Sequence, residues 1–273
     1  MPELPQTSHI RLDLRGPVLH LWLDRPQSRN ALSQDMVREM AAAFAAIAED
    51  RTVRIVVLRG AGGTFCAGGD IKNMSAAGEA PRVGAADPVK EGNRRFGALL
   101  DAVNTAPQVV IAAIEGYAMG GGVGLACVAD VTIVTADARF ALSEATIGVV
   151  AAAVSPFVVQ RIGLTQARRL SITGTRIAGT EAAAIGIAHL AVADAAALDV
   201  AVHEACNQAL KCGPAAIAAT KRLMLRAAGP QAMPALLDDA AETFAAAVRS
   251  PEGREGTRAF VEKRKPPWVV QVE

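Results

Sequence analysis

Cysteine and histidine are scarce: Cys66, Cys127, Cys206 and Cys212, with His9, His20, His189 and His203, are all that 273 residues carry. No C-x-x-C pair and no ligand-spaced cluster joins them, which argues against structural zinc, any other metal site and a disulfide framework. Charge of one sign is lacking too. With 28 Lys+Arg against 27 Asp+Glu the formal net charge is +1, a field too weak to make nucleic acid or an anionic membrane the main partner. Long apolar runs are missing: the longest stretch free of formal charge, Ala145 to Gln160, is broken by Gly148, Ser155 and Pro156 and is short of the ~20 apolar residues a membrane helix needs. The chain opens without a basic segment leading into an apolar core, so the expected compartment is cytoplasmic. No segment recurs, which excludes a solenoid or propeller. No G-x-x-x-x-G-K-[ST] phosphate loop is present, and no clean G-x-G-x-x-G helix with a distant acid.

What is present is enough for a folded globular chain, with 51% hydrophobic and 20% charged residues. Val18 to Leu23 alternates as a half-buried strand, and Ile55 to Leu58 is a β-branched run of buried-strand length. Between them Met36, Met40, Phe44 and Ile47 recur at helical spacing after a Ser33 cap. Asp87-Pro88 starts a second helix, running to about Val103, before the strand Val109 to Ile114. Val131 to Val134 and Phe140 to Leu142 read as strands, and helix follows Pro156. From about residue 196 alanine-rich helices alternate with breaks at Gly213-Pro214 and Gly229-Pro230, and Ser250-Pro251-Glu252 starts a last helix that Pro266-Pro267 cannot extend. The expected architecture is an α/β core, residues 1–195, followed by an all-helical region, 196–273.

Two glycine-rich segments exceed what a scaffold needs. Gly60 to Lys72 (G-A-G-G-T-F-C-A-G-G-D-I-K) follows a buried strand and runs toward a helix expected at Asp70. Glu115 to Leu125 (E-G-Y-A-M-G-G-G-V-G-L) repeats the order strand, glycines, helix. Glycine lets backbone approach a ligand, and N–H groups at a helix start are free donors at the positive end of its dipole. Two such ends converging on one oxygen suit a reaction that builds charge on a carbonyl, although tight turns and close helix–sheet packing need the same residues.

F-C-A-G-G-D-I-K (Phe65 to Lys72), E-G-Y-A-M-G-G-G-V-G-L-A (Glu115 to Ala126), F-A-L-S-E (Phe140 to Glu144) and A-F-V-E-K-R-K (Ala259 to Lys265) together resemble the enoyl-CoA hydratase/isomerase, or crotonase, family over essentially the whole chain. The resemblance implies a spiral of ββα units and a helical C-terminal oligomerisation region building trimers or dimers of trimers. It also implies an acyl-CoA substrate, with no cofactor beyond the coenzyme A that the substrate carries. It places a thioester oxyanion hole on the N–H groups of Gly69 and Gly121, and the proton-transferring carboxylate on Glu144. Nucleotide and pantetheine contacts fall on Ser28, Arg29, Ala31, Ala67, Asp70 and Ile71, with Phe260 and Lys263 reaching the nucleotide end, often from a neighbouring subunit. Lys263 reads equally as a solvated helix end.

Two departures from the family pattern carry information. Hydratases of the family commonly place a second glutamate in the helix after the glycine cluster, where this chain has Gly124. Glu144 must then act alone or recruit another acid. Asp130, at a strand start, and Asp137, in a turn, read as capping or surface groups, and Glu115 is a further rival. Where many hydratases have P-G-A-G-G, this chain reads Val150-Ala-Ala-Ala-Val-Ser-Pro-Phe157. With Gly124 and R-P-Q-S-R-N-A (Arg25 to Ala31), this is similar to hydratases of 3-substituted glutaconyl-CoA, isohexenylglutaconyl-CoA and methylglutaconyl-CoA among them. The absent side chain at 124 is expected to leave room beside C3 for a branch. The implied activity is hydration of a branched 2-enoyl-CoA. A Δ3,Δ2-enoyl-CoA isomerase needs the same single base, and a crotonase-fold protein that binds CoA without turnover is the non-enzyme alternative.

Overall fold

A computed structural model describes residues 2–70 and 85–272. Its centre is a six-stranded sheet of β1 (Ile10–Arg15), β2 (Val18–Leu23), β3 (Ile55–Gly60), β4 (Val109–Ile114), β6 (Val131–Thr135) and β9 (Leu190–Val192), in the spatial order β1-β2-β3-β4-β6-β9. β1 and β2 form an antiparallel hairpin, and every other pairing in this sheet is parallel. A smaller sheet joins β5 (Tyr117–Met119), β7 (Arg139–Ala141) and β8 (Ile177–Ala178).

The parallel strands are apolar on both faces because both are covered. Leu19, Leu21, Leu23, Val56, Leu58, Val110 and Ala112 share one buried cluster with Met36, Met40, Phe44 and Ile47 of α1 (Gln34–Ile47) and with Leu99, Leu100 and Val103 of α2 (Pro88–Thr105). The alternate residues Val18, Ile55, Val57, Ile111 and Ile133 pack on Leu198, Val202 and Cys206 of α6 (Ala195–Ala209). The helix that opens the expected C-terminal region thus closes the second face of the sheet.

Starts and stops follow local chemistry. The Ser33 side chain accepts the Met36 N–H at 3.2 Å, and Asp87 accepts from Val89 and Lys90 ahead of Pro88. The helix α3 (Gly121–Val128) is buried throughout and leads into β6. α4 (Ser155–Thr173) and α5 (Gly179–Ala184) precede β9, and α7 (Pro214–Ala227), α8 (Met233–Arg249) and α9 (Pro251–Val261) complete the chain. The breaks at Gly213-Pro214 and Gly229-Pro230 fall between these helices, and the Ser250 side chain caps α9 through the Gly253 N–H. The helix expected at Asp70 lies outside the described residues. Among the described residues no helix is long and apolar enough to cross a membrane.

Candidate active site

The two glycine segments leave the carboxyl ends of β3 and β4, neighbours in the parallel sheet, where open α/β sheets place ligands. Residues 65–70 run between β5 and the segment before α1. On one side the Cys66 N–H donates to the Tyr117 carbonyl at 2.7 Å, and the Met119 N–H donates to the Cys66 carbonyl at 2.9 Å. On the other side the Ala67 N–H donates to Arg29 at 3.0 Å. A regular strand would turn Gly69 the same way as Ala67. Gly68, at φ 95, reverses the alternation: the Leu32 N–H donates to the Gly68 carbonyl at 2.8 Å and the Asp70 N–H to the Leu32 carbonyl at 3.2 Å. In a parallel bridge of this kind, here Leu32 with Gly69, the central Gly69 N–H points away from Leu32. It faces the β5 side, where β5 leads through Gly120 into Gly121 at the start of α3.

Glu144 comes to the same place from β7. The Gly120 N–H donates to the Ala141 carbonyl at 2.8 Å, bringing the end of β7 to the head of α3, and Glu144 opens a 3-10 turn (Glu144–Ile147) just beyond. A Cβ built on Gly120, itself at φ 48, would lie 2.8 Å from Glu144 Oε1. The other oxygen, Oε2, is buried and has no hydrogen-bond partner among the described residues. Burial pushes the Glu144 carboxyl above its ordinary value of 4.5, against a smaller opposite effect from its own backbone N–H. A desolvated carboxylate at the head of a helix, where the first N–H groups have no intrahelical partner, is equipped to pick up and return a proton next to a polarised carbonyl.

Of the rival acids, Asp130 is occupied. Asp130 Oδ2 accepts the Val110 N–H at 2.7 Å and pairs with Lys221 Nζ at 2.6 Å. Asp137 is exposed. The Glu115 carbonyl accepts the Phe65 N–H at 3.0 Å, a backbone role in the loop.

The expectation of free space at Gly124 is corrected by the packing. A Cβ there would lie 2.6 Å from Val154 Cγ1 and 3.3 Å from Leu100 Cδ1. Val154 and Leu100 are buried, so the volume a second carboxylate would take is filled with hydrocarbon from the Val150–Phe157 segment and α2. A Cβ on Gly121 would similarly meet Leu32 Cδ1 at 2.5 Å and Phe96 Cζ at 3.0 Å. Those two side chains close over the head of α3.

Of the residues assigned to coenzyme A contacts, Ser28, Arg29 and Ala31 lie in the segment that residues 67–70 flank, so Ala67 and Asp70 stand beside them. Ile71 lies outside the described residues. Phe260 and Lys263 sit at the end of α9, which packs on α8 and, through Gly256, on Trp268. The Trp268 carbonyl accepts from Arg54, just before β3, at the end of the sheet opposite the glycine loops. Within one chain they are not brought to the site, and Phe260 is 85% exposed.

Sequence reasoning missed Arg25 and Asn30 as structural determinants. Asn30, wholly buried at φ 56, accepts the Arg25 N–H at 2.8 Å and donates to the carbonyls of Ala61 at 2.9 Å and Thr64 at 2.6 Å. The available signal was Asn itself, which among non-glycine residues best tolerates left-handed backbone.

These features agree with the comparisons to known proteins. The family model described as enoyl-CoA hydratase/isomerase matches residues 14–271. Pseudomonas aeruginosa AtuE superposes with a TM-score of 0.91 at 50% identity, covering 96% of this chain and 100% of that one. An enoyl-CoA hydratase/isomerase from Marinobacter aquaeolei gives 0.91 at 48% identity, covering 96% and 99%. A mevalonyl-coenzyme A hydratase of Beauveria bassiana is 33% identical over 260 residues, 92% of this chain and 91% of the relative. The chain belongs to the enoyl-CoA hydratase/isomerase family and is an enzyme of the crotonase type.

Proposed function

We propose that this enzyme hydrates a branched 2-enoyl-CoA of the 3-substituted glutaconyl type, with Glu144 as its only proton-transfer group. The observation that carries the reading is Glu144 itself: a half-buried carboxyl whose buried Oε2 has no hydrogen-bond partner among the described residues, against Gly120 at the head of α3. In this mechanism the Glu144 carboxylate takes a proton from water as the water oxygen bonds to C3. The C2–C3 π electrons shift onto the thioester, whose oxygen accepts hydrogen bonds from the Gly69 and Gly121 N–H groups. Glu144 then returns a proton to C2, the enolate collapses, and water has added to one face. With Val154 and Leu100 over Gly124, one carboxyl serves both transfers. The choice of a branched acyl group is supported by the motifs at Arg25–Ala31 and Val150–Phe157, and by the likeness to a hydratase named for mevalonyl-coenzyme A.

Ser28, Arg29, Ala31, Ala67, Asp70 and Ile71 are proposed to flank the coenzyme A moiety of the substrate, and no metal or further cofactor takes part. Phe260 and Lys263 are proposed to act on a neighbouring copy's nucleotide end, in a cytoplasmic trimer or dimer of trimers. The same filled position at 124 also suits a Δ3,Δ2-enoyl-CoA isomerase, in which Glu144 carries a proton between C4 and C2.

The test is mass spectrometry of 3-methylglutaconyl-CoA, isohexenylglutaconyl-CoA and crotonyl-CoA after incubation in ¹⁸O-labelled water and, separately, in D₂O. Labelled hydrated product, fastest from a branched substrate and lost in Glu144→Gln, is expected. Deuterium exchange into a 3-enoyl-CoA without gain of water makes the enzyme an isomerase. The pH profile has a fixed sign. Hydration needs the ionised carboxylate, so kcat/KM falls as pH drops through the Glu144 pKa, at a midpoint above the ordinary glutamate value.

A further inference from the structure

Asp70 follows Gly69, and its side chain is turned back onto the segment before α1. Arg25 Nη1 donates to the Ala31 carbonyl at 2.7 Å, and both Nη1 and Nη2 lie 3.4 Å from Asp70 Oδ2. The pair is mostly withdrawn from solvent, with side chains 18% and 16% exposed. Asn30 fastens the same segment to the beginning of the loop through Ala61 and Thr64. Residues 25–32 therefore grip both ends of residues 61–70, and the Leu32–Gly69 bridge lies between the two grips.

The arrangement bears on catalysis because only one backbone rotation, at Gly68, separates a Gly69 N–H aimed toward the head of α3 from one aimed at Arg29. A positive-φ glycine has no side chain to hold that rotation; the Gly68 carbonyl and the Gly69 N–H share one planar peptide, so the Leu32 N–H bond to that carbonyl sets the aim, and it does so only while residues 25–32 stay seated against the loop. We propose that Arg25 and Asp70 are positioning residues: their ion pair fixes the aim of the Gly69 N–H, so that its hydrogen bond to the thioester oxygen is preorganised. This rests on the reading of Gly69 as an oxyanion donor and departs from the expectation that the Asp70 side chain serves coenzyme A binding. In this scheme the Asp70 side chain faces Arg25, leaving its backbone to flank coenzyme A, so loss of the pair lowers turnover more than affinity for coenzyme A.

The experiment compares the intact protein with Asp70→Asn, Arg25→Gln and the double variant, each shown to be folded by circular dichroism. Three quantities are read: kcat and KM for the preferred enoyl-CoA, Kd for free coenzyme A, and the absorption shift of a bound cinnamoyl-CoA thioester. That conjugated chromophore moves to longer wavelength as its carbonyl oxygen accepts stronger hydrogen bonds. Each single variant is expected to lose about tenfold in kcat with a smaller red shift, a Kd for coenzyme A within about twofold of wild type, and a double variant no worse than either single. Unchanged kcat and red shift in Asp70→Asn, or a weakened coenzyme A Kd with both intact, overturns the clamp. If Asp70→Asn fails to fold, Arg25→Gln decides by the same readouts. A wild-type protein that neither turns over an enoyl-CoA nor shifts the chromophore overturns the oxyanion reading, and the clamp with it.

Discussion

Gly124 stands where the hydratases this sequence resembles carry a second carboxylate, yet the glycine creates no room for substrate. Val154 and Leu100 take the space, so the missing side chain and the altered Val150–Phe157 segment are two halves of one packing solution. Introducing Gly124→Glu alone forces a carboxylate into hydrocarbon, with a cost of about 3 kcal/mol from overpacking and desolvation. Removing the obstruction as well, in Gly124→Glu with Val154→Gly, is expected to recover part of that stability and to speed crotonyl-CoA hydration relative to the single variant. Thermal denaturation and initial rates on the two proteins check it. A single variant that gains rate at full stability would show that Val154 does not guard the position. None of this was legible from position 124 in isolation, because a glycine reads as empty until the neighbour that fills it is known.

Elements were legible wherever their signals are local. Ser33, Asp87-Pro88 and Ser250-Pro251 announce helix starts through hydrogen bonds made within three residues, β2 shows by its alternation, and β3, β4 and β6 show as apolar runs because both faces are covered. β5, β8 and β9 are too short to have a period, and exist only through partners distant in sequence. The joint between α7 and the core was equally hidden. Lys221 Nζ, on a side chain 9% exposed, donates to the carbonyls of Ala106 at 2.7 Å and Gln108 at 2.6 Å and pairs with Asp130. Its removal in Lys221→Met leaves a half-buried carboxylate and two carbonyls without their shared donor, which should cost about 3 kcal/mol. Denaturant unfolding measures that loss, and hydrogen exchange should show α7 loosening before β3 and β4 do. Equal protection of both would mean that the lysine does not fasten the helix.

At the scale of the molecule, the C-terminal helices carry large apolar side chains outward. Met224 is 64% exposed, Leu237 61%, Phe244 71% and Val261 79%. Alanine-rich composition alone could not reveal which side of these helices is left uncovered. If copies of the chain assemble through this surface, sedimentation at micromolar concentration should report a trimer or hexamer, and Phe244→Asp with Leu237→Asp should shift it toward monomer. An unchanged mass would place the contact elsewhere. The head of α3 sets a different limit on the molecule. Gly120 faces Glu144, Gly121 faces Leu32 and Phe96, Gly122 faces Cys66, and Gly124 faces Val154 and Leu100. Five parts of the chain, at Leu32, Cys66, α2, Glu144 and Val154, thus close on the head of α3, and a Cβ at any of these positions displaces one or two of them. The turn itself can change only together with the side chains that surround it, as Gly124 with Val154, and new substrates would be admitted by changing those side chains.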